Sequence, residues 1–347
     1  MPLLAGLVLA ANVAYEPTVA TVERRVESMG TTLDLVVRMK YRDDALQASE
    51  KAFAEFRRVE TLLSTWKPDG ELWRVNAGAP GKPVAVSPEL ADLLATCWRW
   101  IPRTHGAFDP TVAPLMRAWD LRGKGRIPTA AELSEALRAT GASNFRIDLG
   151  SHTVTRLSAE AGIDEGAWGK GYGLERAGVV LRKAGVQSAL LNLGGQVLAV
   201  GTDTSEKAWR VPVAHPRDRQ RTVVELGLAD LSASTSGDSE RGRDVGGRRI
   251  GHHLDPHTGE PAKDFGSVTV VAPSAFFADI LSTACFVLGP EKGLALSEAL
   301  RKEGIENEVL FLVDRGGILD ALASPGMANL VLSADPHAVR GLAASTQ

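Results

Sequence analysis

The chain has little cysteine, little tyrosine, no excess of basic residues and no long apolar run. Two cysteines in 347 residues, Cys97 and Cys285, exclude a disulfide scaffold and a thiolate-built zinc or iron–sulfur centre, while one bridge stays possible without being implied. Lys and Arg number 39 against 42 Asp and Glu, a net charge of −3. A protein that grips nucleic-acid phosphates carries the opposite balance, so no nucleic-acid partner is expected. The apolar run over residues 3–13, LLAGLVLAANV, falls short of the about 20 residues that a spanning helix needs. It has the length of a signal-peptide core, although no Lys or Arg precedes it. Residues 1–14 are therefore read as a shortened export signal, with a buried N-terminal strand or helix as the alternative. No cysteine follows the run, so a lipoprotein anchor is unavailable. A soluble protein in the periplasm, or otherwise exported, is expected, with the cytoplasm as the other possibility.

Glycine is abundant, at 35 residues, which implies many tight turns or backbone-lined loops. Apolar periodicity predicts a strand over residues 31–37 and an amphipathic helix over 43–63, with Leu46, Phe53, Phe56, Val59 and Leu63 on one face. A loop, STWKPDGELWRVN over residues 64–76, follows, with Pro68-Asp69-Gly70 as its turn signal. Ser87-Pro88-Glu89 starts a helix, and Thr129 with Glu132 forms a capping box at the head of another. Short strands are expected over 145–149 and 153–157, a helix over 174–184, and a strand through SALLNLGGQVLAVG, where Gly194-Gly195 suggests a bulge or close backbone approach. Further strands are expected over 209–214, 222–228, 267–272 and 308–313, with a polar loop over 232–251. Helices are expected over 274–287 and 291–303, and short strands near 318–321 and 330–332. The elements lack a βαβ rhythm, so the fold class is α+β.

Three segments carry possible chemistry. DEGAWGKGYG, from Asp164, lacks the Ser or Thr of a P-loop and the third glycine of a dinucleotide fingerprint. Its N–H groups leading into a helix, with Lys170 beside them, would still suit a phosphate, although such a turn is more often structural. HHLDPH holds His252, His253, Asp255 and His257. The Asp255-Pro256 and Thr258-Gly259 pairs argue for a turn rather than a helical zinc pair, and one loop histidine as general base is the better reading. ADILSTA sets Asp279 and Thr283 four apart on a helix. Two oxygen donors at that spacing suit a hard cation such as Mg²⁺, but a helical threonine commonly bonds the preceding turn instead.

The order of the motifs is more telling than any one of them. MGT at Met29, LSTW ending at Trp66, GAFDPTVAPL from Gly106, DEGAWGKGYG from Asp164, LNLGG from Leu191, STSGD from Ser234, HHLDPHTGEP from His252, SVTVVA from Ser267 and ADILSTA from Ala278 follow one another. Together they resemble the FAD:protein FMN transferase family, the ApbE-type flavin transferases, over about residues 28–335. The resemblance implies one catalytic unit of two interlocked lobes with a flavin and Mg²⁺ site between them. It implies Mg²⁺ as cofactor and FAD as substrate. The activity implied is transfer of FMN to a Thr or Ser of a target protein with release of AMP. Carried over by motif, the Mg²⁺ ligands are Asp279, Thr283 and the backbone carbonyl of Ala167. Flavin and adenylate contacts fall to Met29, Trp66, Ala107, Phe108, Asp109, Asp164, Lys170 and Leu254, and the catalytic base to His252. The aromatic pair Trp66 and Phe108 would offer surface to a flat ring, or would simply pack in the core.

The acceptor implied is a membrane-associated redox subunit with an exported domain. Four positions depart from the family pattern. Glu165 and Trp168 stand in the glycine loop, where Trp168 adds bulk beside the inferred metal carbonyl. Gln196 stands where an acid is common, and Ser239 where an aromatic is common. FAD hydrolysis to FMN and AMP, and non-catalytic FAD binding, are the alternative functions.

Overall fold

The computed structural model describes residues 19–203, 207–238 and 242–342. The export-signal segment and Ser239 lie outside them. The chain opens with a hairpin, β1 (Ala20–Ser28) and β2 (Thr31–Met39), followed by α1 (Arg42–Leu63) and α2 (Glu71–Ala77). Next come β3 (Pro83–Ala85), α3 (Pro88–Arg103), α4 (Ala113–Ala118), α5 (Ala130–Ala139), β4 (Phe145–Asp148) and β5 (Thr153–Arg156). Then α6 (Gly169–Lys183) leads to β6 (Ser188–Leu193), β7 (Gln196–Gly201), β8 (Trp209–His215), β9 (Asp218–Leu228) and β10 (Ser232–Gly237). A small hairpin of β11 (Arg243–Val245) and β12 (Arg248–Ile250) precedes β13 (Gly266–Ala272) and α7 (Ala275–Lys302). The chain closes with β14 (Glu308–Asp314), β15 (Leu319–Ala323), β16 (Val331–Ala334) and β17 (Val339–Arg340).

Nine strands form one sheet in the order β1-β2-β6-β7-β10-β13-β14-β15-β17. Its neighbours are antiparallel except β15 and β17, as the α+β reading requires. Side chains alternate between the faces. Leu33, Leu35, Val37 and Leu191 face α1 and α6, while Val268, Val270, Phe311 and Val313 face α3 and α7. The intervening Val197, Ala199, Val271, Leu310 and Leu312 pack on the three-stranded sheet β16-β9-β8. A second lobe has its own cluster, in which Leu115, Trp119 and Ala136 meet Ile250 and Leu254.

Several local expectations change. β1 carries Glu23, Arg24, Arg25 and Glu27 and hides its strand character behind charge; it is an edge strand, and edges tolerate charge. Gly194 and Gly195 form a hairpin turn, with φ of 54° and 92° and Leu193 opposite Gln196, so the one strand expected here is two; there is no bulge, but the close approach is made, with the Gly194 N–H donating to the Thr32 carbonyl at 3.2 Å. The segment over 232–251 contains β10, β11 and β12 rather than one loop. β10 lacks apolar alternation because its inward groups are hydroxyls, with Ser234 and Ser236 each 3.0 Å from Ser282 Oγ. Residues 71–76, expected as the end of that loop, belong to α2. The two C-terminal helices appear as α7 with a break at Gly289, whose φ is 78°. The capping box at Thr129 is formed as expected.

Candidate active site around helices α6 and α7

α6 begins at Gly169, inside the glycine segment, five residues earlier than its apolar pattern suggests. The Gly171 N–H donates to Asp279 Oδ2 at 2.8 Å. A Cβ at Gly171 would stand 2.3 Å from the Ala275 carbonyl oxygen and 2.7 Å from Asp279 Cβ, so glycine is what lets α6 and α7 approach. Asp279 is buried. Burial pushes its carboxyl above the usual range, while Lys170, the Gly171 N–H and His253 pull the other way. The positive end of the α6 dipole adds to that pull. Thr283, one turn on, is half-buried. Its hydroxyl has no hydrogen bond among the described residues, and the Asp279 carbonyl that it would otherwise bond accepts from Ser282 Oγ at 3.0 Å. The alternative reading of a self-satisfied helical threonine does not apply here.

Asp164 and Trp66 share a cavity of about 550 Å³ with Arg117, Arg122 and Arg156. Trp66 is 65% exposed, and the Arg122 guanidinium lies over its ring at 4.6 Å. Core packing is thereby excluded for Trp66. Arg122 pairs with Asp164 and, at 3.3 Å, with Glu165, and Thr65 Oγ1 donates to Glu165 at 3.1 Å. Burial and the Asp164 charge raise the Glu165 carboxyl to about 7 against the pull of Arg122. Trp168, expected to crowd the loop, turns inward: it is fully buried and its Nε1 donates to the Asp164 carbonyl at 2.8 Å.

The segment from Gly106 is tied to the same loop, since Asp164 N–H donates to the Pro110 carbonyl at 2.7 Å. Ala107 lines a second cavity, of about 630 Å³, with His105, Asp255, His257 and Lys292. The Phe108 side chain is in the core, which corrects the expectation that its ring offers free surface. Asp109 bonds the Thr111 N–H and hydroxyl at 2.7 and 2.6 Å; burial raises its carboxyl against these bonds. Leu254 is also buried, in the second lobe. Met29 sits at the β1–β2 turn with φ of 48° and donates its N–H to Glu60 at 3.2 Å. Positive φ in a non-glycine residue costs about 1 kcal/mol or more, so its side chain is held at the turn at a cost.

His252 Nδ1 lies 3.3 Å from Asp238 Oδ1, and the His252 backbone N–H donates to the same oxygen at 3.3 Å. His253 stacks between His252, at 3.9 Å between centroids, and Phe286 of α7, at 4.5 Å. Burial alone would raise the Asp238 carboxyl, but the two imidazoles hold it well below the usual range. His257 stands apart, paired with Asp255 at 2.9 Å. Gln196 donates Nε2 to the Ala275 carbonyl at 2.8 Å, a bond that an ionised acid could not make.

A model of the ApbE family matches residues 29–307. The chain belongs to the ApbE family. The match spans every site position from Met29 to Thr283. Named relatives agree with it. An FAD:protein FMN transferase of Haemophilus influenzae is 30% identical over 312 residues, covering 85% of this chain and 90% of that protein. One of Klebsiella pneumoniae is 32% identical over 292 residues, covering 81% of each. Among solved structures, the ApbE protein of Thermotoga maritima superposes with a TM-score of 0.81 at 28% identity, covering 90% of this chain and 99% of that one. The flavin transferase ApbE of Vibrio cholerae gives 0.78 at 28% identity, with the same coverage.

Arg122 and Asp238, which the sequence did not single out, contact the candidate residues Asp164 and His252, and His253, considered along the sequence only as one of the loop histidines, lies beside Asp238. Asp238 closes the STSGD motif, and His253 neighbours the candidate base, so both had a signal. Arg122 had none, because it reaches Asp164 from 42 residues away.

Proposed function

We propose that this chain transfers FMN from FAD to a Thr or Ser hydroxyl of a target redox protein, forming a phosphoester-linked flavin and releasing AMP. Family membership and the activity named for its relatives support the reaction. The observation that carries the site is Asp279 held at the N-terminus of α6, with the uncommitted Thr283 hydroxyl one turn away and Lys170 beside it. A carboxylate, a hydroxyl and the Ala167 carbonyl make an all-oxygen set, which fits Mg²⁺. Mg²⁺ held there would polarise the FAD pyrophosphate and offset its charge.

Lys170, at the positive end of α6, binds the phosphates. Trp66, Met29 and the backbone around Ala107, Phe108, Asp109 and Leu254 bind the rest of FAD, and Asp164 orients it through its pairing with Arg122. His252, held by Asp238, takes the proton from the acceptor hydroxyl. That oxygen bonds the FMN phosphorus as the bond to AMP breaks. Residues 28–335 form the catalytic unit. The acceptor is an exported domain of a membrane redox subunit, and the enzyme acts in the periplasm. Among the described residues no helix is long and apolar enough to cross a membrane.

The test is incubation with FAD, Mg²⁺ and an acceptor domain carrying a candidate Thr motif. In-gel flavin fluorescence and an FMN-sized mass gain on the acceptor are expected. AMP release without labelling would instead make the chain an FAD pyrophosphatase, and bound FAD without either product would remove both enzyme readings.

A further inference from the structure

We propose that Asp238, His252 and His253 form a binding site for a dication of the zinc class, and that filling it withdraws His252 from proton transfer. The second half rests on the function proposed above; the site itself does not. One ligand atom from each of the three residues lies within 4.8 Å of the others. Asp238 Oδ1 is 3.3 Å from His252 Nδ1 and 3.4 Å from His253 Nδ1. These separations are long for a charge-assisted hydrogen bond, which settles at about 2.7–2.9 Å. They match the edge of a zinc tetrahedron, since two ligands bonded to one ion at about 2.0–2.2 Å stand about 3.3–3.6 Å apart.

The donors are also of the right kind. Two imidazoles and one carboxylate are a common set for Zn²⁺ and too nitrogen-rich for Mg²⁺, so the ion would not be the one assigned to Asp279 and Thr283. The ligands are held before any metal arrives. The Asp238 side chain is 3% exposed, and Gly251 leaves it no slack, since a Cβ there would meet Asp238 Oδ2 at 2.2 Å. The His253 ring is clasped between His252 and Phe286. The His252 side chain is 25% exposed, so the ring of this ligand reaches the surface.

The inhibition follows from competition for one imidazole. A ring nitrogen bound to a dication cannot take up a proton, and the charge placed on the ring lowers the basicity of its other nitrogen. Zinc would therefore silence the enzyme at saturating Mg²⁺ and FAD.

The probe is Co²⁺, added to the full-length apo-protein. One equivalent should give the intense visible absorption of a four-coordinate ion, displaced by Zn²⁺ and untouched by excess Mg²⁺. His253→Phe keeps a stacked ring but removes the nitrogen, and should abolish the band; Asp279→Ala should keep it, which separates this site from the oxygen site. In the wild type, loss of FMN transfer should reach about a hundredfold, with a zinc midpoint equal to that for displacing Co²⁺. No such band, or an equal band in His253→Phe with unchanged melting, would overturn the site. A filled site with undiminished transfer would overturn the inhibition and, with it, His252 as the base. Should His253→Phe be misfolded, His253→Gln read by the same band decides the matter.

Discussion

Gly171→Ala tests the joint between α6 and α7 on which the candidate site depends. The added Cβ would stand 2.3 Å from the Ala275 carbonyl oxygen and 2.7 Å from Asp279 Cβ. Neither atom is the end of a flexible side chain, so the helices themselves must separate. Overpacking of that kind costs about 1–3 kcal/mol, and weakening the Gly171 hydrogen bond to the Asp279 carboxylate costs about 1.5–3 kcal/mol. Alanine returns at most about 1 kcal/mol of helix propensity. The net expectation is a loss of about 2–4 kcal/mol, a fall in melting temperature of roughly 3–6 °C for a chain of this size. Because Asp279 moves with α7, the Mg²⁺ concentration for half-maximal FMN transfer should rise as well. Gly178→Ala, on the same helix, is the control: its Cβ meets Leu198 Cδ2 at 2.7 Å, the tip of a side chain that can rotate. Thermal unfolding and a Mg²⁺ titration of transfer read both variants. Equal melting of the two, with the wild-type Mg²⁺ response in Gly171→Ala, would refute the joint.

Three further outcomes are expected. Asp279→Ala should lose Mg²⁺-dependent transfer while still folding, and normal turnover in it would remove the metal assignment. His252→Ala should bind FAD as the wild type does, measured by flavin fluorescence, yet lose transfer by about a hundredfold or more; retained transfer would place the base elsewhere. Glu165 titrates at about 7 in the folded chain against an ordinary 4.5. The folded state then binds more protons than the unfolded one between these values, so this stabilisation is present below pH 4.5 and lost as pH rises through 7. Glu165→Gln should remove that decline, at most about 3 kcal/mol, from denaturant unfolding curves recorded between pH 5 and 8. An unchanged pH slope would mean that Glu165 is ionised throughout.

The sequence by itself determined most of the helices, the α+β class and the family. The 3.6-residue spacing of Phe53, Phe56, Val59 and Leu63 needs only local neighbours to be read, and so do the caps at Ser87 and Thr129. Ordered short motifs likewise survive where a single motif says little. Tertiary structure decided what depends on partners distant in the chain. β10 is central although it is polar, because Ser234 and Ser236 bond Ser282 on α7. Trp66 and Trp168 are the same residue type in two of the motifs, yet one lies on the surface beneath Arg122 and the other in the core. Arg122 itself, and the sharing of Asp238 by two histidines, could not be seen along the chain. Period and capping are encoded within a few residues, whereas a buried charge is defined by whichever group the fold carries to it.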